Sequence, residues 1–536
     1  MKPLYQIQPL QTLMKKRIIN FASIGFILIA MFSIHVKGNK PNIVFIYADD
    51  LDADEINCTM NDVEIWATPS GVKKVHGKSF KAGVPKVLTP HIDQLANDGM
   101  ILTRFYVNAT VCSSSRYCLL TGRYATRGIE LQDDYPVGTH ATLEWRPAIL
   151  NTETSLPKEL QKQGYRTGII GKWHNMKKND LPKRKKADHQ PNATFEQTKK
   201  SEKAIKKYYE AGIQYLSNGF GWDVVDRMEW GNSIVNLDWQ CEGAVNFINE
   251  SKDQPFFLYC SLPVPHGQYF FDYNDITSYD QRVTSDGLLD DALYFLPKTD
   301  DVLRRTRAAE VPDQNAMATR MDDYVGAIME ALKANNLIEN TLVIFTSDHG
   351  GRGKNSCYEG GAKVPLIAFW PGKITPGTRN DSLCGNIDMA ATLIDIAGGD
   401  LPADMAQDSL SIRPQLTGEG EPNDWRKYMF IEAGNSKAVL SRDWKLLVNR
   451  VTPEIEAKMK ARPKEVFWSG FDHHNYGNER MYPNFWDADQ LYNLKLDLYE
   501  MTNVINNPEN QPILETLKGE LSQFVKSLPH TFGEFN

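Results

Sequence analysis

The chain has 536 residues, of which 41% are hydrophobic, 24% charged and 10% aromatic. This composition excludes a chain that is disordered throughout, and the length suits two or three domains of about 150 residues each. The net charge of −7 lacks the basic excess that phosphate-backbone binding requires, so nucleic acid is not expected as a partner. Nothing in the sequence indicates an oligomeric state.

The N-terminus has the pattern of an export signal. Three basic residues, Lys15 to Arg17, precede an apolar run from Ile24 to Ile34, and polar residues follow that run. The run is short for a membrane span, which takes ~20 apolar residues, although it could serve as an uncleaved anchor. We therefore predict a signal peptide over residues 1–38 and a periplasmic or secreted protein.

Two apolar runs that are far apart in the chain both end in acidic residues. The run Asn42–Tyr47 leads to Asp49 and Asp50, and the run Thr341–Thr346 leads to Asp348. Such β-branched runs are typical of buried strands in a parallel sheet, and open α/β sheets bind their ligands beyond the carboxyl ends of the strands. Acidic pairs on loops can also be helix caps. The two strand ends together nevertheless favour an oxygen-rich site for a hard divalent cation.

Helical and strand-like segments alternate between these two runs. The sequence predicts helices from Pro90 to Gly99 and from Asp322 to Asn335, and strands from Tyr165 to Ile170 and from Pro255 to Ser261. The Lys-rich stretch 179–207 is predicted to be a solvated loop followed by the start of a helix. This alternation favours an α/β fold with a large parallel or mixed sheet and helices on both faces.

The character of the sequence changes after Gly418, where Gly-Glu-Gly-Glu-Pro interrupts the chain. Short strand candidates follow, and an amphipathic stretch lies near the C-terminus. We therefore predict a catalytic domain over residues 39–418 and a smaller C-terminal α+β subdomain, with a small antiparallel sheet and a helix, over residues 419–536. The predicted elements of this subdomain are the strands Met429–Ala433, Ala438–Ser441 and Trp444–Val448 and the helix Ile513–Leu528.

The segment from Val111 to Arg123 is the most informative part of the chain. Cys112 opens a polar turn before a predicted helix, so it would lie near a helix N-terminus, where free N–H groups stabilise an anion. Arg116 and Arg123 follow it, and their guanidinium groups suit an oxyanion. The local pattern is equally consistent with a buried cysteine beside a serine-rich helix cap. The seven cysteines of the chain show no zinc-binding spacing, and their odd number leaves at least one thiol unpaired.

The pattern Cys112-x-x-Ser115-Arg116, followed by Leu120-Thr-Gly-Arg123, resembles the signature of the type I, formylglycine-dependent sulfatases. Further motifs of that family occur in the same order along the chain. The resemblance implies an alkaline-phosphatase-like fold, in which helices flank a large mixed sheet, and a sulfuric ester hydrolase of the bacterial polysaccharide-sulfatase type. The further motifs are Asn42–Asp50, Thr89–Ala96, Gly171–His174, Pro263–His266, Ser347–Gly351, Tyr358–Gly361 with Val364 and Pro365, and Leu491–Leu494.

The resemblance also implies roles for individual residues. Cys112 would be oxidised to formylglycine (3-oxoalanine) by a formylglycine-generating maturation enzyme, and the hydrate would be the nucleophile. Calcium, with magnesium as the alternative, would polarise the sulfate ester, and His266 is favoured over His174 as the acid. The implied site residues are Cys112, Arg116, His174 and His266 for catalysis, Lys172, Lys354 and Arg123 for substrate binding, and Asp49, Asp50, Asp348 and His349 for the metal.

Three positions depart from the family pattern or depend on spacing alone. Ser114 stands where the family usually has Pro or Ala, which bears on how efficiently the preceding cysteine is converted. His349 stands where many relatives have Asn, and imidazole is an unusual ligand for calcium. Lys354 is assigned by its spacing before Tyr-Glu-Gly-Gly, and Arg352 is its nearest replacement.

Two other functions are weighed against sulfate hydrolysis. A phosphomonoester or phosphodiester hydrolase of the same superfamily would need further metal ligands, and only one clear metal set is present. A glycan-binding relative without activity is the other alternative. As substrate, the resemblance implies a sulfated carbohydrate such as ulvan, carrageenan, fucoidan or a glycosaminoglycan. Five tryptophans could stack on sugar rings or pack in the core, namely Trp145, Trp173, Trp222, Trp230 and Trp239.

Overall fold

The structure is a computed structural model that describes residues 40–60, 87–143, 145–177, 180–182, 190, 192–231, 234–266, 275–470 and 476–533. The predicted signal peptide, residues 1–38, lies outside the described residues. Among the described helices, none has the length and apolar character that a membrane span needs. Residues 41–536 form one compact unit.

Strands and helices alternate along the described chain. The strands are β1 (Asn42–Ala48), β2 (Met100–Leu102), β3 (Phe105–Tyr106), β4 (Arg166–Lys172), β5 (Val224–Glu229), β6 (Phe256–Ser261), β7 (Val283–Thr284), β8 (Gly287–Leu288), β9 (Thr341–Ser347), β10 (Leu366–Phe369), β11 (Thr378–Asn380), β12 (Cys384–Gly385), β13 (Met429–Ala433), β14 (Ser436–Leu440), β15 (Trp444–Asn449) and β16 (Asp489–Asn493). The helices are α1 (Asn57–Met60), α2 (Pro90–Asp98), α3 (Cys112–Thr121), α4 (Leu131–Asp134), α5 (Leu156–Lys162), α6 (Phe195–Leu216), α7 (Leu237–Ser251), α8 (Thr299–Ala308), α9 (Ala316–Ala334), α10 (Glu359–Ala362), α11 (Asp388–Ile396), α12 (Ala403–Ala406), α13 (Arg413–Leu416), α14 (Pro453–Ala461), α15 (Asn478–Met481) and α16 (Gln511–Ser527).

One large mixed sheet organises the described residues. Its strand order is β11-β2-β10-β9-β1-β6-β4-β5. β1 runs parallel to both β9 and β6, and β4 runs parallel to β6, whereas β10 is antiparallel to β9. β5 is also parallel to β4, so five neighbouring parallel strands bring their carboxyl ends to one edge, which is where sheets of this kind bind ligands. The predicted α/β architecture with a large mixed sheet is confirmed.

The central strand β1 shows why its sequence is apolar throughout. Ile43 and Phe45 face one buried cluster, which includes the inner face of helix α3. Val44 and Ile46 face a second buried cluster, which includes α7 and α9. Because helices cover both faces of the sheet, both sets of side chains are removed from water, and no polar residue alternates with them.

Helix α9 begins at Ala316, six residues before the predicted start at Asp322. Its first residues, Ala316 to Gly326, are all buried. A helix segment that is buried on every side has no polar face, so the apolar periodicity on which the prediction depended is absent there. The predicted helix Pro90–Gly99 and the strands Tyr165–Ile170 and Pro255–Ser261 agree with α2, β4 and β6 to within two residues at each end.

The C-terminal part forms a second, smaller sheet. The order is β13-β14-β15-β16, and all neighbouring strands are antiparallel. Helix α16 packs on it through one apolar stripe that includes Leu517 and Phe524, and the Phe524 ring stacks on Phe430 of β13 with 4.1 Å between centroids. The three strands and the helix predicted for this region are all present, with ends shifted by at most two residues.

Candidate active site

The carboxyl ends of three parallel strands hold one buried group of charged side chains. Asp49 and Asp50 follow β1, Asp348 and His349 follow β9, Lys172 ends β4, and Arg116 and Lys354 approach from α3 and from the loop after β9. We call these seven residues the strand-end cluster. All of them are buried. The predicted convergence of the two acidic strand ends is thus present in the structure.

Cys112 lies beside this cluster at the first position of helix α3. Val111, the residue before it, is extended and makes no side-chain cap, so the helix N-terminus is open at the cysteine. The Cys112 Sγ lies 3.2 Å from His349 Nε2 and 3.6 Å from Lys354 Nζ. Burial alone would raise the pKa of the thiol, but the positive charges of Lys172, Lys354 and His349 hold it well below its ordinary value. An anionic oxygen at this position would meet the same charges.

The acidic residues of the cluster have the chemistry of a divalent-cation site. One ligand atom from each of Asp49, Cys112, Asp348 and His349 lies within 4.8 Å of the others. The buried Asp49 Oδ1 has no hydrogen-bond partner. Burial and the negative charge of Asp49 hold the pKa of Asp348 well above its ordinary range, because the two carboxylates repel each other. A bound cation would relieve this repulsion, so the donor set fits a hard metal ion with one imidazole ligand.

The backbone at Asp50 supports the same interpretation. Asp50 has a φ of 60°, a left-handed conformation that non-glycine residues rarely adopt. Its N–H donates to Asp348 Oδ1 at 3.0 Å, which ties the end of β1 to the end of β9. Its carboxylate lies 3.1 Å from His349 Nε2. Strained backbone of this kind concentrates at functional sites, where the surrounding structure enforces it.

Lys172 reaches the cluster because β4 ends with a bulge against β5 at Ile170 and Gly171. Gly171 has a φ of 96°, and a Cβ there would lie 2.1 Å from the carbonyl oxygen of Ser261, so only glycine fits. The Lys172 ammonium binds Asp49 Oδ2. Although burial lowers the pKa of Lys172, the charge of Asp49 outweighs it and keeps the ammonium protonated.

Arg116 lies between the two acidic strand ends. Its Nε and Nη2 donate to Asp348 Oδ2 at 3.1 and 2.8 Å, and Nη2 lies 3.6 Å from Asp49 Oδ1. Its Nη1 donates to the hydroxyl of Ser261, which in turn donates to the carbonyl of Lys172 at 2.6 Å. Ser261 was not among the predicted site residues. Its position as the last residue of the predicted strand Pro255–Ser261 is the signal that could have identified it.

The structure decides between Lys354 and Arg352. The Lys354 ammonium donates to both carboxylate oxygens of Asp50, at 2.8 and 2.9 Å. The Arg352 guanidinium binds Asp52 and Asp54 instead. Lys354 is therefore the cation that the loop after β9 contributes to the strand-end cluster.

Both predicted histidines lie at the site. His266 Nε2 lies 3.4 Å from Lys354 Nζ and 3.8 Å from Asp50 Oδ2. His174 is hydrogen-bonded with Cys112, and burial holds its pKa below the ordinary value. The Ser113 hydroxyl donates to the carbonyl of His174 at 2.8 Å, which fixes this loop to the start of α3.

Arg123 does not join the other predicted residues. Its guanidinium donates to Glu153 Oε1 at 2.8 Å and lies over the ring of Tyr117. Arg123 comes after the end of helix α3, whereas Cys112 begins that helix, so the length of the helix separates the two side chains. The structure gives this arginine a packing role in place of the substrate contact that was expected.

The serines after Cys112 hold the start of helix α3 in place. The Ser114 hydroxyl donates to the carbonyl of Arg146 at 2.6 Å. The Ser115 hydroxyl lies 3.1 Å from the Tyr47 hydroxyl and accepts from Asn386 Nδ2 at 2.8 Å. Asn386 was not predicted from the sequence, because a lone asparagine far from the other motifs carries no recognisable pattern. The contact of Ser115 with Tyr47 fixes the start of helix α3, and with it Cys112, against β1.

Comparison with known proteins identifies sulfatases as the relatives of this chain. The family model described as Sulfatase matches residues 41–399. The ulvan-active sulfatase of Formosa agariphila is 24% identical over 502 residues, covering 91% of this chain and 80% of that protein. The N-acetylgalactosamine-6-O-sulfatase of Bacteroides thetaiotaomicron is 24% identical over 578 residues, covering 92% and 94% of the two chains.

A solved structure shares the fold. The crystal structure of Ps i-CgsB in complex with a neocarrahexaose superposes with a TM-score of 0.57 at 21% sequence identity. The alignment covers 91% of this chain and 93% of that one. The likeness therefore extends over the large sheet and the C-terminal sheet together.

Proposed function

This chain belongs to the sulfatase family and is a sulfuric ester hydrolase, and from that premise we propose that it removes sulfate from a sulfated carbohydrate through a formylglycine derived from Cys112. The observation that carries the proposal is the position of Cys112. Its Sγ lies at a helix N-terminus within 3.6 Å of Lys354 and 3.2 Å of His349. In this unmodified chain the sulfur stands in for the oxygen that attacks the ester.

Formylglycine would form a hydrate with two hydroxyl groups, which the thiol cannot do. One hydroxyl would accept the sulfuryl group, and the other would later release sulfate as the aldehyde forms again. The residues around Cys112 suit that chemistry. Arg116, Lys172 and Lys354 offer donors to sulfate oxygens, and they are held in place by carboxylates before substrate arrives. Preorganised donors of this kind stabilise charge that develops in the transition state.

Asp49, Asp50, Asp348 and His349 would hold a divalent cation, with calcium as the first choice and magnesium as the alternative. When bound, the cation polarises the sulfate ester. The support for this assignment is the unpartnered Asp49 Oδ1 and the mutual repulsion of the carboxylates. The imidazole of His349 also faces the same point as the carboxylates of Asp50 and Asp348, at 3.1 and 3.7 Å.

His266 is the acid that we assign to the departing alcohol. Its ring lies at the outer side of Lys354, with 17% of the side chain exposed, so a bulky leaving group can reach it. Imidazole donates a proton near neutral pH. His174 is the hydrogen-bond partner of Cys112, and a histidine whose pKa desolvation holds below the ordinary value suits a neutral partner of the nucleophile.

The carbohydrate substrate is supported by the relatives. One relative is described as active on ulvan, another as acting on N-acetylgalactosamine 6-O-sulfate, and a structural neighbour carries a neocarrahexaose. Export by the signal peptide over residues 1–38 would bring the enzyme to such polysaccharides outside the cytoplasm. Conversion of Cys112 requires a formylglycine-generating maturation enzyme as partner.

The test begins with the modification itself. The protein is co-expressed with a maturation enzyme, and the tryptic peptide that contains Cys112 is weighed by mass spectrometry. We expect the mass of formylglycine and release of sulfate from sulfated oligosaccharides, with aryl sulfate turned over far faster than aryl phosphate. The variant Cys118→Ala, which removes a second buried thiol of helix α3, is the control and should still release sulfate. An unmodified Cys112 in protein that releases sulfate would refute the mechanism.

A further inference from the structure

One tryptophan of the five candidates differs from the rest. Trp173, Trp222, Trp230 and Trp239 are at most 5% exposed and belong to the core. Trp145 is 36% exposed, and its ring lies 5.9 Å from the ring of His174. The Lys354 ammonium lies 5.6 Å from the centre of the Trp145 ring. Trp145 is therefore an accessible aromatic surface at the strand-end cluster.

A second aromatic ring meets the same ammonium from the C-terminal part of the chain. The ring centre of Tyr476 lies 5.2 Å from Lys354 Nζ. Tyr476 has a φ of 52°, in the left-handed region that non-glycine residues rarely occupy. Two residues later, the buried Asn478 donates from Nδ2 to the carbonyl of Lys354 at 2.9 Å. The chain thus bends tightly at Tyr476 and is fixed to the backbone of the catalytic loop beside it.

We infer that Trp145 and Tyr476 form the walls of the subsite for the sugar ring that carries the sulfate ester, an inference that rests on the proposed function. The leaving oxygen must lie near His266, whose Nε2 is 3.4 Å from Lys354 Nζ. The carbon attached to that oxygen is part of the sugar. The ring must then occupy the space next to the ammonium that the two aromatic side chains flank.

The chemistry of the two walls fits a pyranose. One face of a sugar ring presents C–H groups with partial positive charge, and an aromatic face carries partial negative charge. Binding sites for such ligands combine aromatic surface with a few placed polar groups. Here Lys354 and His266 are the polar groups, and the indole and phenol rings are the apolar surface. A sulfated sugar can contact both the polar groups and the aromatic rings, whereas inorganic sulfate contacts only the charged groups.

The experiment distinguishes the contribution of the sugar ring to binding from that of the sulfate group. The full chain carrying Cys112→Ala is titrated calorimetrically, in the presence of calcium, with sulfated oligosaccharides derived from ulvan, carrageenan, fucoidan and a glycosaminoglycan, and with inorganic sulfate. Adding Trp145→Ala or Tyr476→Ala should weaken the tightest oligosaccharide about tenfold, as expected for loss of an aromatic contact. The affinity for inorganic sulfate should stay the same. Trp145→Phe should retain most of the oligosaccharide affinity.

Tyr294 supplies the matched control, because it is an exposed aromatic residue whose ring contacts only Lys298 among the described cations. Tyr294→Ala should change neither affinity. If Trp145→Ala weakened sulfate and oligosaccharide equally, the ring would merely position Lys354, and the inference would be overturned. Binding of sulfate without binding of any oligosaccharide would overturn it as well. Oligosaccharide binding that depends on Trp145, in a matured protein that releases no sulfate, would refute the proposed function and leave the sugar subsite in place.

Discussion

Two regions that both bury lysines together with carboxylates can be compared. They differ in how closely cations and hydrogen-bond donors approach the carboxylate oxygens. The strand-end cluster is one, and the other, which we call the Glu359 cluster, consists of Glu359, Lys445 and Glu500. Lys445 of β15 lies 2.8 Å from a carboxylate oxygen of each glutamate. The other two carboxylate oxygens accept from the Tyr106 hydroxyl at 3.1 Å and from the Glu359 N–H at 2.6 Å.

Every carboxylate oxygen of the Glu359 cluster has the Lys445 ammonium or a hydrogen-bond donor within 3.1 Å. Asp49 Oδ1 in the strand-end cluster instead has the Arg116 guanidinium at 3.6 Å, beyond hydrogen-bond distance. The strand-end cluster also lies beside Cys112, the proposed nucleophile position, at a helix N-terminus. Burial of charge is therefore common to a structural cluster and to a candidate active site, and the looser pairing of Asp49 beside Cys112 is what distinguishes the candidate active site.

The largest effect on stability is expected in the Glu359 cluster. Lys445→Met removes the cation that contacts both buried carboxylates, and breaking a buried ion pair in this way costs about 3–5 kcal/mol. The free energy of unfolding, measured by chemical denaturation, should fall by that amount, while the folded protein keeps its kcat. Lys458→Met removes an exposed lysine that pairs with Glu454 and should change stability little. A loss of kcat in fully folded Lys445→Met protein would show that this cluster also serves catalysis.

The corresponding substitution in the strand-end cluster should affect rate more than stability. Lys172→Met removes a cation that we assign to a sulfate oxygen, and loss of one such donor lowers kcat on the order of 100- to 1000-fold. The measurement is sulfate release by matured enzyme at saturating substrate. Lys162→Met, on the solvent-facing side of α5, is the control and should keep full activity. If Lys172→Met kept its kcat, the ammonium would be structural, like that of Lys445.

Metal removal tests the proposed cation site in the strand-end cluster directly. Chelation should lower the melting temperature, because a ligand present at 100 times its Kd stabilises the folded state by about 2.7 kcal/mol. Calcium and magnesium are then added back separately to identify the preferred ion. Asp348→Asn should abolish the response, whereas Asp388→Asn, at a buried carboxylate that pairs with Arg426 outside the strand-end cluster, should retain it. A melting temperature that changes neither with chelator nor with added metal would contradict the assignment of the cation site.

The comparison also shows which parts of the molecule the sequence could predict. The strands β1 and β9 were predictable because burial on both faces requires a continuous apolar run. The meeting of the acidic residues after them was predictable because parallel strands bring their carboxyl ends to one edge of the sheet. The start of α9 was not, since a helix buried on all sides has no amphipathic pattern. The family motifs identified Cys112 and Lys172, which local patterns alone left ambiguous.

The sequence could not predict which partner each charged side chain contacts. Lys354 and Arg352 are two residues apart, and only their partners in the structure, Asp50 for the lysine and Asp52 for the arginine, separate them. Arg123 belongs to a family motif, yet its guanidinium turns to Glu153. Contacts of this kind depend on segments that meet only after folding, and no spacing along the chain encodes them. The Glu359 cluster also joins segments that are 141 residues apart, so sequence spacing could not predict it.

The smallest predicted effect is the pH dependence of the Glu359 cluster. Burial raises the pKa of Glu500 to about 7 from an ordinary value of 4.5, so the folded protein binds more protons than the unfolded chain between these values. Stability from this group is complete below pH 4.5 and is lost as the pH rises to 7. Glu359 does not offset the effect in this range, because the charge of Lys445 outweighs its burial and lowers its pKa below 4.5, so its own contribution changes only at more acid pH. We therefore expect a loss on the order of 2 kcal/mol between pH 5 and 7.

Glu500→Gln should flatten this part of the stability curve, measured by chemical denaturation at several pH values. The matched control is Glu509→Gln at an exposed position, which should leave the curve unchanged. A curve for Glu500→Gln that fell as steeply as that of the wild-type protein would mean that Glu500 is ionised throughout this range. Lys445 would then contact two negative charges, of which only Glu359 also faces the charge of Lys363. In that case the cost of Lys445→Met should exceed the range given above, so the two measurements check each other.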